Sequence, residues 1–219
     1  KLQKGGMVGT TILTSLVLSA CGGTVATKAP IDAGNFTLAH GTYTGLEGND
    51  VFSGAAGTDN LVINALGGDD TIATGSGADV VRSGTGADNV NTGSGNDIIV
   101  VVGTTTASEY SAANIPSELS GVLTLASLNG QAVSESASGE SINGGAGTDT
   151  LHVYGTTDLS LINISNVENL SVHSDVTMNA SQIQSFLVIN GDGTSTLRIE
   201  ANDASGVEIV VTLADLSIT

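Results

Sequence analysis

The sequence predicts an all-β protein made of thin, stacked strand layers joined by tight turns. Three observations support this fold class. The 219 residues include 30 glycines and only 3% aromatic residues, a central segment repeats every nine residues, and the C-terminal part alternates apolar and polar residues. Glycine permits sharp turns, and few aromatic rings leave little material for a thick core. The 40% hydrophobic content is still ordinary for a chain that buries a core, so we do not expect a disordered polyanion.

The first 21 residues resemble a bacterial lipoprotein signal. Lys1 and Lys4 precede a short apolar run, residues 7–20, which ends at Cys21. A run of about 14 residues is shorter than the roughly 20 that a membrane span needs. The resemblance implies cleavage before Cys21 and a lipid anchor on its thiol. Alternatively, the segment is retained as a strand buried against a neighbouring subunit. Both readings place the protein outside the cytoplasm, in the extracellular space or at the outer cell surface.

Residues 22–44 are predicted to form a small, polar tether with a lead-in strand at 35–43. The next segment, residues 45–103, contains six nine-residue units with glycine at the fourth position, aspartate at the sixth and an apolar residue at the eighth. The glycines are Gly48, Gly57, Gly68, Gly77, Gly86 and Gly95, and the aspartates are Asp50, Asp59, Asp70, Asp79, Asp88 and Asp97. Two extra residues, Ile63 and Asn64, follow the second unit and are expected to lengthen one strand.

This pattern resembles the calcium-binding nonapeptide of the repeats-in-toxin (RTX) family. The resemblance implies a right-handed parallel β-roll, a β-solenoid in which two units form one coil and Ca²⁺ lies between loops that are neighbours in space. By register, the resemblance places one set of aspartates along each edge and implies four sites between loops. The first edge has Asp50, Asp70 and Asp88, and the second has Asp59, Asp79 and Asp97.

A metal-free solenoid is the alternative, because aspartate and glycine also form turns. Six aspartates stacked coil upon coil would however repel one another without a cation. We therefore expect Ca²⁺ to be the bound metal, with carboxylate and backbone carbonyl oxygens as ligands. The second-position glycine of the family is replaced by Leu46, Ala55 and Leu66 in the first three units, which makes the early sites depart from the pattern.

Residues 104–138 break the repeat and are predicted to be an insertion. It is expected to contain a short helix near residues 116–119 and a hairpin turn at Asn129-Gly130. A seventh unit then places Asp149 in register as a further candidate calcium ligand. Nine residues earlier, Glu140 and Ile142 resemble a degraded unit.

The C-terminal region, residues 139–219, is predicted to be a second, wider β-solenoid or a small β-sandwich. Its Leu-, Ile- and Val-rich segments alternate apolar and polar residues between turn residues, as strands do. The region after the seventh unit also resembles the tails of large bacterial RTX adhesins and surface-layer proteins.

Several classes of function are disfavoured. A net charge of −17 argues against nucleic acid, which requires clustered lysine and arginine. The single cysteine argues against an internal disulfide or a cysteine-based zinc site. The chain has no HExxH, GxSxG or P-loop motif, and His40, His152 and His173 are scattered along the sequence. We therefore expect no enzymatic activity and name no catalytic residue.

The sequence predicts a calcium-stabilised structural protein of a bacterial cell surface or biofilm matrix that associates with itself into a filament or layer. The first alternative is a calcium-dependent adhesin that presents a site for a glycan or surface ligand from its C-terminal half. The second is the non-catalytic tail of a secreted enzyme. Calcium-dependent assembly without a ligand would separate the first hypothesis from the adhesin.

Overall fold

The computed structural model describes residues 34–54, 58–200 and 208–213. The lipoprotein-like leader and Cys21 lie outside these ranges, as does Gly57. Within them, the chain folds mainly into short strands, and no helix is long and apolar enough to span a bilayer.

Strands of three to five residues form the nonapeptide region and its continuation through the seventh unit. They are β1 (Thr37–Ala39), β2 (Thr42–Thr44), β3 (Val51–Ser53), β4 (Val62–Asn64), β5 (Thr71–Ala73), β6 (Val80–Arg82), β7 (Asn89–Asn91), β8 (Ile98–Val102), β9 (Ser141–Asn143) and β10 (Thr150–Tyr154). The C-terminal strands are β11 (Thr157–Asp158), β12 (Asn163–Ser165), β13 (Asn169–Val172), β14 (Val176–Asn179), β15 (Val188–Gly191), β16 (Thr196–Glu200) and β17 (Glu208–Thr212).

Successive strands alternate between two parallel sheets. One sheet has the order β1-β2-β4-β6-β8-β10-β13-β15, and the other has the order β12-β9-β7-β5-β3. The middle residue of each three-residue strand from β3 to β7 is apolar and buried, as in Phe52, Ile72, Val81 and Val90. Because strand residues alternate between faces, these side chains stack into the thin core between the sheets. The predicted all-β parallel β-roll is confirmed.

The N-terminal end of the roll is closed by a hairpin. β1 pairs with β2 in antiparallel fashion, and the turn residues His40 and Gly41 both have positive φ. The rings of Phe36 and Tyr43 pack edge-on against Phe52 in the first coil. The prediction of one continuous lead-in strand was therefore wrong, because the chain reverses at His40-Gly41.

Residues 104–138 leave the roll and return to it, packing on the outer face of the eight-stranded sheet. The segment contains 3-10 turns at Ala112–Asn114 and Ser117–Leu119 and one helical turn, α1, at Leu125–Leu128. The short helix expected near residues 116–119 is thus a 3-10 turn. Apolar residues of the insertion meet the outer side chains of β8 and β10, namely Leu119, Val122, Leu123 and Leu128 against Val100, Val102 and Tyr154.

The hairpin predicted at Asn129-Gly130 is wrong. Asn129 ends α1, because its backbone N–H donates to the carbonyl of Leu125. Its side-chain oxygen accepts the backbone N–H of Tyr110, and Gly130 donates to the carbonyl of Thr106. These bonds join the two ends of the insertion instead of two adjacent strands.

The C-terminal region continues the same solenoid with a wider coil. β10, β13 and β15 extend the eight-stranded sheet, while a third sheet has the order β11-β14-β16-β17. β14 and β16 pair in parallel, and only β17 is antiparallel to its neighbour. Of the two predicted alternatives, the structure therefore has the wider solenoid. One helical turn, α2 (Ala180–Ile183), interrupts a segment that the sequence pattern predicted to be strand.

Candidate metal centre

Two rows of buried carboxylates run along the roll, one at each edge where loops enter strands. The first row precedes the five-stranded sheet, and the second precedes the eight-stranded sheet. The first row contains Asp50, Asp70 and Asp88, and the second contains Asp79, Asp97 and Asp149. All six side chains are at most 2% exposed. The sequence pattern placed five of these residues in the predicted rows and also named Asp149.

Along each row, one carboxylate oxygen of an aspartate accepts a hydrogen bond from the coil before it. The backbone N–H of one aspartate donates to Oδ1 of the next at 2.8 Å. The pairs are Asp50 with Asp70, Asp70 with Asp88, Asp79 with Asp97, and Asp97 with Asp149. The insertion does not interrupt the second row, because β8 and β10 are direct neighbours.

The other oxygen has no protein partner at five of the six positions. The Oδ2 atoms are buried and accept no hydrogen bond in Asp70, Asp79, Asp88, Asp97 and Asp149. A buried polar atom without a partner costs about 1–3 kcal/mol, and more when it carries charge. Five such atoms in equivalent positions fit a bound cation, and carboxylate oxygens are ligands that Ca²⁺ prefers. Asp50 differs, since its Oδ2 accepts the backbone N–H of Leu46 at 2.6 Å.

Burial makes these carboxylates hard to ionise in the absence of a cation. Desolvation raises the pKa of Asp70 to about 7 and that of Asp97 to about 6. It also raises the pKa of Asp79, Asp88 and Asp149. A nearby positive charge would reverse this effect.

The chain itself supplies little positive charge to the rows. Arg82 is the one lysine or arginine between residues 34 and 197. Its guanidinium is buried and paired with Glu135, and it also donates to the carbonyl of Val122. Within residues 34–197, no lysine or arginine is therefore left to neutralise the rows.

The fourth-position glycines allow the loops to stack closely. Gly68, Gly77, Gly86 and Gly95 have φ values of 116°, 139°, 134° and 143°. A Cβ atom at Gly86 would overlap the carbonyl oxygen of Gly68, and one at Gly95 would overlap that of Gly77. Gly48 differs, because it does not have a positive φ and a Cβ atom there would meet nothing within 4 Å.

Asp59 does not stand in the second row. Val62 lies opposite Val80, so Leu61 occupies the position opposite Asp79 and its backbone N–H donates to Asp79 Oδ1 at 2.8 Å. The two extra residues are absorbed in the loop before β4, which has three residues like β6, so the predicted lengthening of a strand is wrong. The exposed Asp59 is consequently two residues out of register, and the expected Asp59–Asp79 site is not formed as predicted.

Two glutamates occupy aspartate positions that the strict repeat pattern missed. Glu140 lies opposite Asp88, and Glu168 lies opposite Asp149. Glu168 Oε2 accepts the backbone N–H of Asp149 at 2.8 Å, as the aspartates do along the row. A pattern that accepts any acidic residue two positions before a buried apolar residue, here Ile142 and Leu170, would have found both.

Among residues 34–54, 58–200 and 208–213, no three His, Cys, Asp or Glu side chains are grouped so as to hold a metal. Within each row, the space between neighbouring loops is instead flanked by two carboxylates. Since Ca²⁺ takes six to eight oxygen ligands, its remaining ligands would be backbone carbonyls of the loops and water.

The histidines are less scattered than the sequence indicates. His152 Nδ1 and His173 Nε2 lie 3.2 Å apart on neighbouring strands, and Ser171 Oγ is 3.1 Å from the same nitrogen of His173. The His173 ring stacks on Tyr154 with a centroid distance of 4.2 Å. Burial lowers the pKa of His152 to about 4 and also lowers the pKa of His173.

Comparison with known proteins identifies the repeat. The family model described as RTX calcium-binding nonapeptide repeat (4 copies) matches residues 41–62, 64–99 and 138–158. These ranges contain both aspartate rows and Glu140. No curated protein and no solved structure matches the chain significantly.

Proposed function

The chain carries RTX calcium-binding nonapeptide repeats, and from this premise we propose that it is a calcium-stabilised structural protein of a bacterial cell surface or biofilm matrix. RTX repeat proteins are usually secreted or surface-associated. The observation that carries the proposal is the set of five buried, unpartnered carboxylate oxygens in two stacked rows. The expected lipid on Cys21 would attach such a protein to a membrane.

Calcium would act by joining adjacent coils. Bound Ca²⁺ supplies positive charge to two neighbouring aspartates, in the pairs Asp50/Asp70, Asp70/Asp88, Asp79/Asp97 and Asp97/Asp149. These pairs exist only when the coils are stacked, so the binding free energy becomes folding free energy. Extracellular calcium modules have dissociation constants of about 10⁻⁴–10⁻³ M, which favours folding outside the cell.

We further propose that folded copies of the chain associate with one another. In the described part of the chain, β1 pairs only with β2, and β17 pairs only with β16. Ile209 and Val210 on β17 are 56% and 53% exposed. A strand with one unpaired edge can pair with another chain, and exposed apolar side chains favour such pairing. These features support head-to-tail assembly of folded copies.

The test is circular dichroism and electron microscopy of the purified chain, titrated with calcium from chelator to about 10 mM, above the usual extracellular range. The proposal predicts that β-structure and ordered assemblies appear together. β-Structure without assemblies would contradict the structural role. If calcium changed neither signal, the calcium-dependent fold itself would be refuted.

A calcium-dependent adhesin is the second candidate, since the C-terminal half has an open cleft. The cleft has a volume of about 500 Å³ and is lined largely by polar residues, among them Asn163, Asn179, Gln182 and Ser185. Amide and hydroxyl groups in a cleft are suited to sugar hydroxyls. A glycan array probed with calcium-loaded monomer tests this alternative, and loss of a hit in Asn163→Ala, an exposed cleft residue, would place the ligand in the cleft.

A further inference from the structure

Glu140 lies where the insertion returns to the roll. Asn89 pairs with Ser141, so Glu140 and Asp88 stand in equivalent positions on neighbouring coils, one strand spacing of about 4.8 Å apart. Ile142 fills the core beside Val90, as the eighth residue of a regular unit does. Asp88 Oδ1 accepts the backbone N–H of Asp70. Burial raises the pKa of Glu140 and the negative charge of Asp88 raises it further, so the two carboxyl groups interact across neighbouring coils.

Each of the two carboxylates has an unsatisfied oxygen. Asp88 and Glu140 are both 1% exposed, and neither Asp88 Oδ2 nor Glu140 Oε1 accepts a hydrogen bond. The other oxygen of Glu140 accepts the backbone N–H of Ala137 at 3.3 Å. The side chain of Ser83 lies beside both carboxyl groups.

Neighbouring residues do not neutralise this pair. The guanidinium of Arg82 donates to Glu135, and Glu135 adds a further negative charge near Asp88. At the end of the second row the situation differs, because Glu168 is half-buried and its Oε2 is satisfied by the backbone N–H of Asp149. The space between Asp88 and Glu140 is therefore the stronger candidate for a cation.

We propose that Asp88 and Glu140 bind a further divalent cation, of the same oxygen-preferring class as Ca²⁺, which fixes the end of the insertion to the roll. The site extends the first row by one coil with a glutamate in place of the repeat's aspartate. It rests on the calcium binding proposed above, but concerns one site that the nonapeptide pattern does not assign. Cation binding here would order residues 135–141 together with the coils.

The test compares Glu140→Gln with Glu118→Gln, an exposed glutamate in the same insertion. Native mass spectrometry counts the calcium ions bound, and hydrogen exchange follows the backbone of residues 135–141. We expect Glu140→Gln to bind one ion fewer. We also expect about a tenfold higher calcium concentration for half-maximal protection of that segment, with Glu118→Gln unchanged. Equal ion counts and equal protection in both variants would overturn the proposal.

A second measurement does not depend on how the variant folds. Crystals of the unaltered chain grown with Tb³⁺ should show anomalous density between Asp88 and Glu140 Oε1. Density restricted to the aspartate pairs would refute this site and leave the proposed function intact. If the unaltered chain bound no calcium in mass spectrometry, the proposed function itself would fail.

Discussion

At the scale of single residues, each row aspartate uses its two oxygens differently. In every row aspartate except Asp50, Oδ1 accepts a backbone N–H from the adjacent coil, whereas Oδ2 is buried without a hydrogen-bond partner. Asparagine keeps the first interaction and removes the charge. Substitutions of this type therefore separate the hydrogen bond that shapes the loop from the negative charge that attracts the cation.

Asp70→Asn should have opposite effects with and without calcium. In chelator at about pH 8, we expect a gain in unfolding free energy of about 1–3 kcal/mol, because a buried charge is removed. In saturating calcium we expect a loss of similar size, because a metal ligand is lost. The matched control is Asp69→Asn, an exposed neighbour whose Oδ1 accepts the N–H of Ala87. Urea unfolding in both conditions measures the effect, and a change of the same sign in both would contradict it.

Leu66→Gly should stabilise the roll. Leu66 occupies a second position and has a φ of 78°, a conformation that costs a non-glycine residue about 1–2 kcal/mol. Glycine would remove this strain. Part of the gain in stability would be lost, however, because glycine has greater conformational entropy in the unfolded chain. We expect a net gain of up to about 1 kcal/mol in thermal or urea unfolding. Leu46→Gly is the control, since Leu46 does not have a positive φ, and an equal gain there would show that strain is not the cause.

The row residues could be predicted from the sequence where the nine-residue period is regular. They could not be predicted where the two extra residues shift that period. Both Leu61 and Ile63 are apolar, so the sequence alone allows either to be the inward eighth residue. The structure buries both and places Leu61 opposite Asp79, which displaces Asp59. Glu140 was seen only as a degraded match, because the pattern required aspartate.

At the scale of elements, the two rows predict how stability depends on pH. Desolvation raises the folded pKa of Asp70 to about 7 and that of Asp97 to about 6. Groups with a raised folded pKa stabilise the fold below their unfolded pKa, and this contribution is lost as the pH rises through the folded value. The calcium-free roll should therefore lose carboxylate-derived stability between about pH 4 and about pH 7.

The measurement compares the unfolding free energy at about pH 5 and about pH 8, in chelator and in calcium. His152, whose pKa is lowered to about 4, changes the unfolding free energy with pH in the opposite direction. This contribution is the same in chelator and in calcium, so it cancels from the difference between them. The stabilisation by calcium should be larger at the higher pH, because calcium competes with protons for the rows. A calcium effect independent of pH would contradict this account.

The insertion is fastened to the roll by a buried ion pair. Arg82 in β6 donates through Nε to Glu135 Oε1 at 2.8 Å, and Glu135 Oε2 accepts the backbone N–H of Val102. Glu135→Gln should cost about 3–5 kcal/mol, because it leaves the guanidinium charge buried without its counter-ion. Hydrogen exchange of residues 104–138 should rise in this variant. The exposed Glu109→Gln serves as the control, and equal exchange in the two variants would be inconsistent with this role.

The regular elements could be predicted because their residues repeat one local pattern, whereas the insertion could not. Apart from β4, each strand from β3 to β8 contains the apolar residue that stands at the eighth position of a nine-residue unit. By contrast, the end of α1 at Asn129 depends on bonds to Tyr110 and Thr106, some twenty residues away. Local propensity favoured a hairpin at Asn129-Gly130, but these tertiary contacts hold the two residues against the start of the insertion instead.

At the scale of the whole molecule, one solenoid runs from the N-terminal hairpin into the C-terminal region. The eight-stranded sheet crosses from β8 directly to β10, so the last regular unit of the repeat shares a core cluster with the C-terminal strands. Apolar alternation alone could not distinguish a solenoid from a sandwich, because both bury one face of each strand. Parallel pairing of β14 with β16 is the feature that only the structure supplies.

A solenoid of this kind is stabilised mainly between neighbouring coils. Charges that repel between coils therefore weaken every interface at once, and cations between coils strengthen each one. We therefore expect calcium binding and folding to be coupled through the aspartate rows.

The most direct measurement is the free energy of unfolding of the chain as a function of free calcium concentration, with magnesium as the comparison. We expect each tenfold rise above the dissociation constant to add about 1.4 kcal/mol for every site filled. With several sites linked to folding, the slope should exceed that of a single site. It should fall in a variant that carries both Asp79→Asn and Asp97→Asn. A stability independent of calcium, or raised equally by magnesium, would contradict the account.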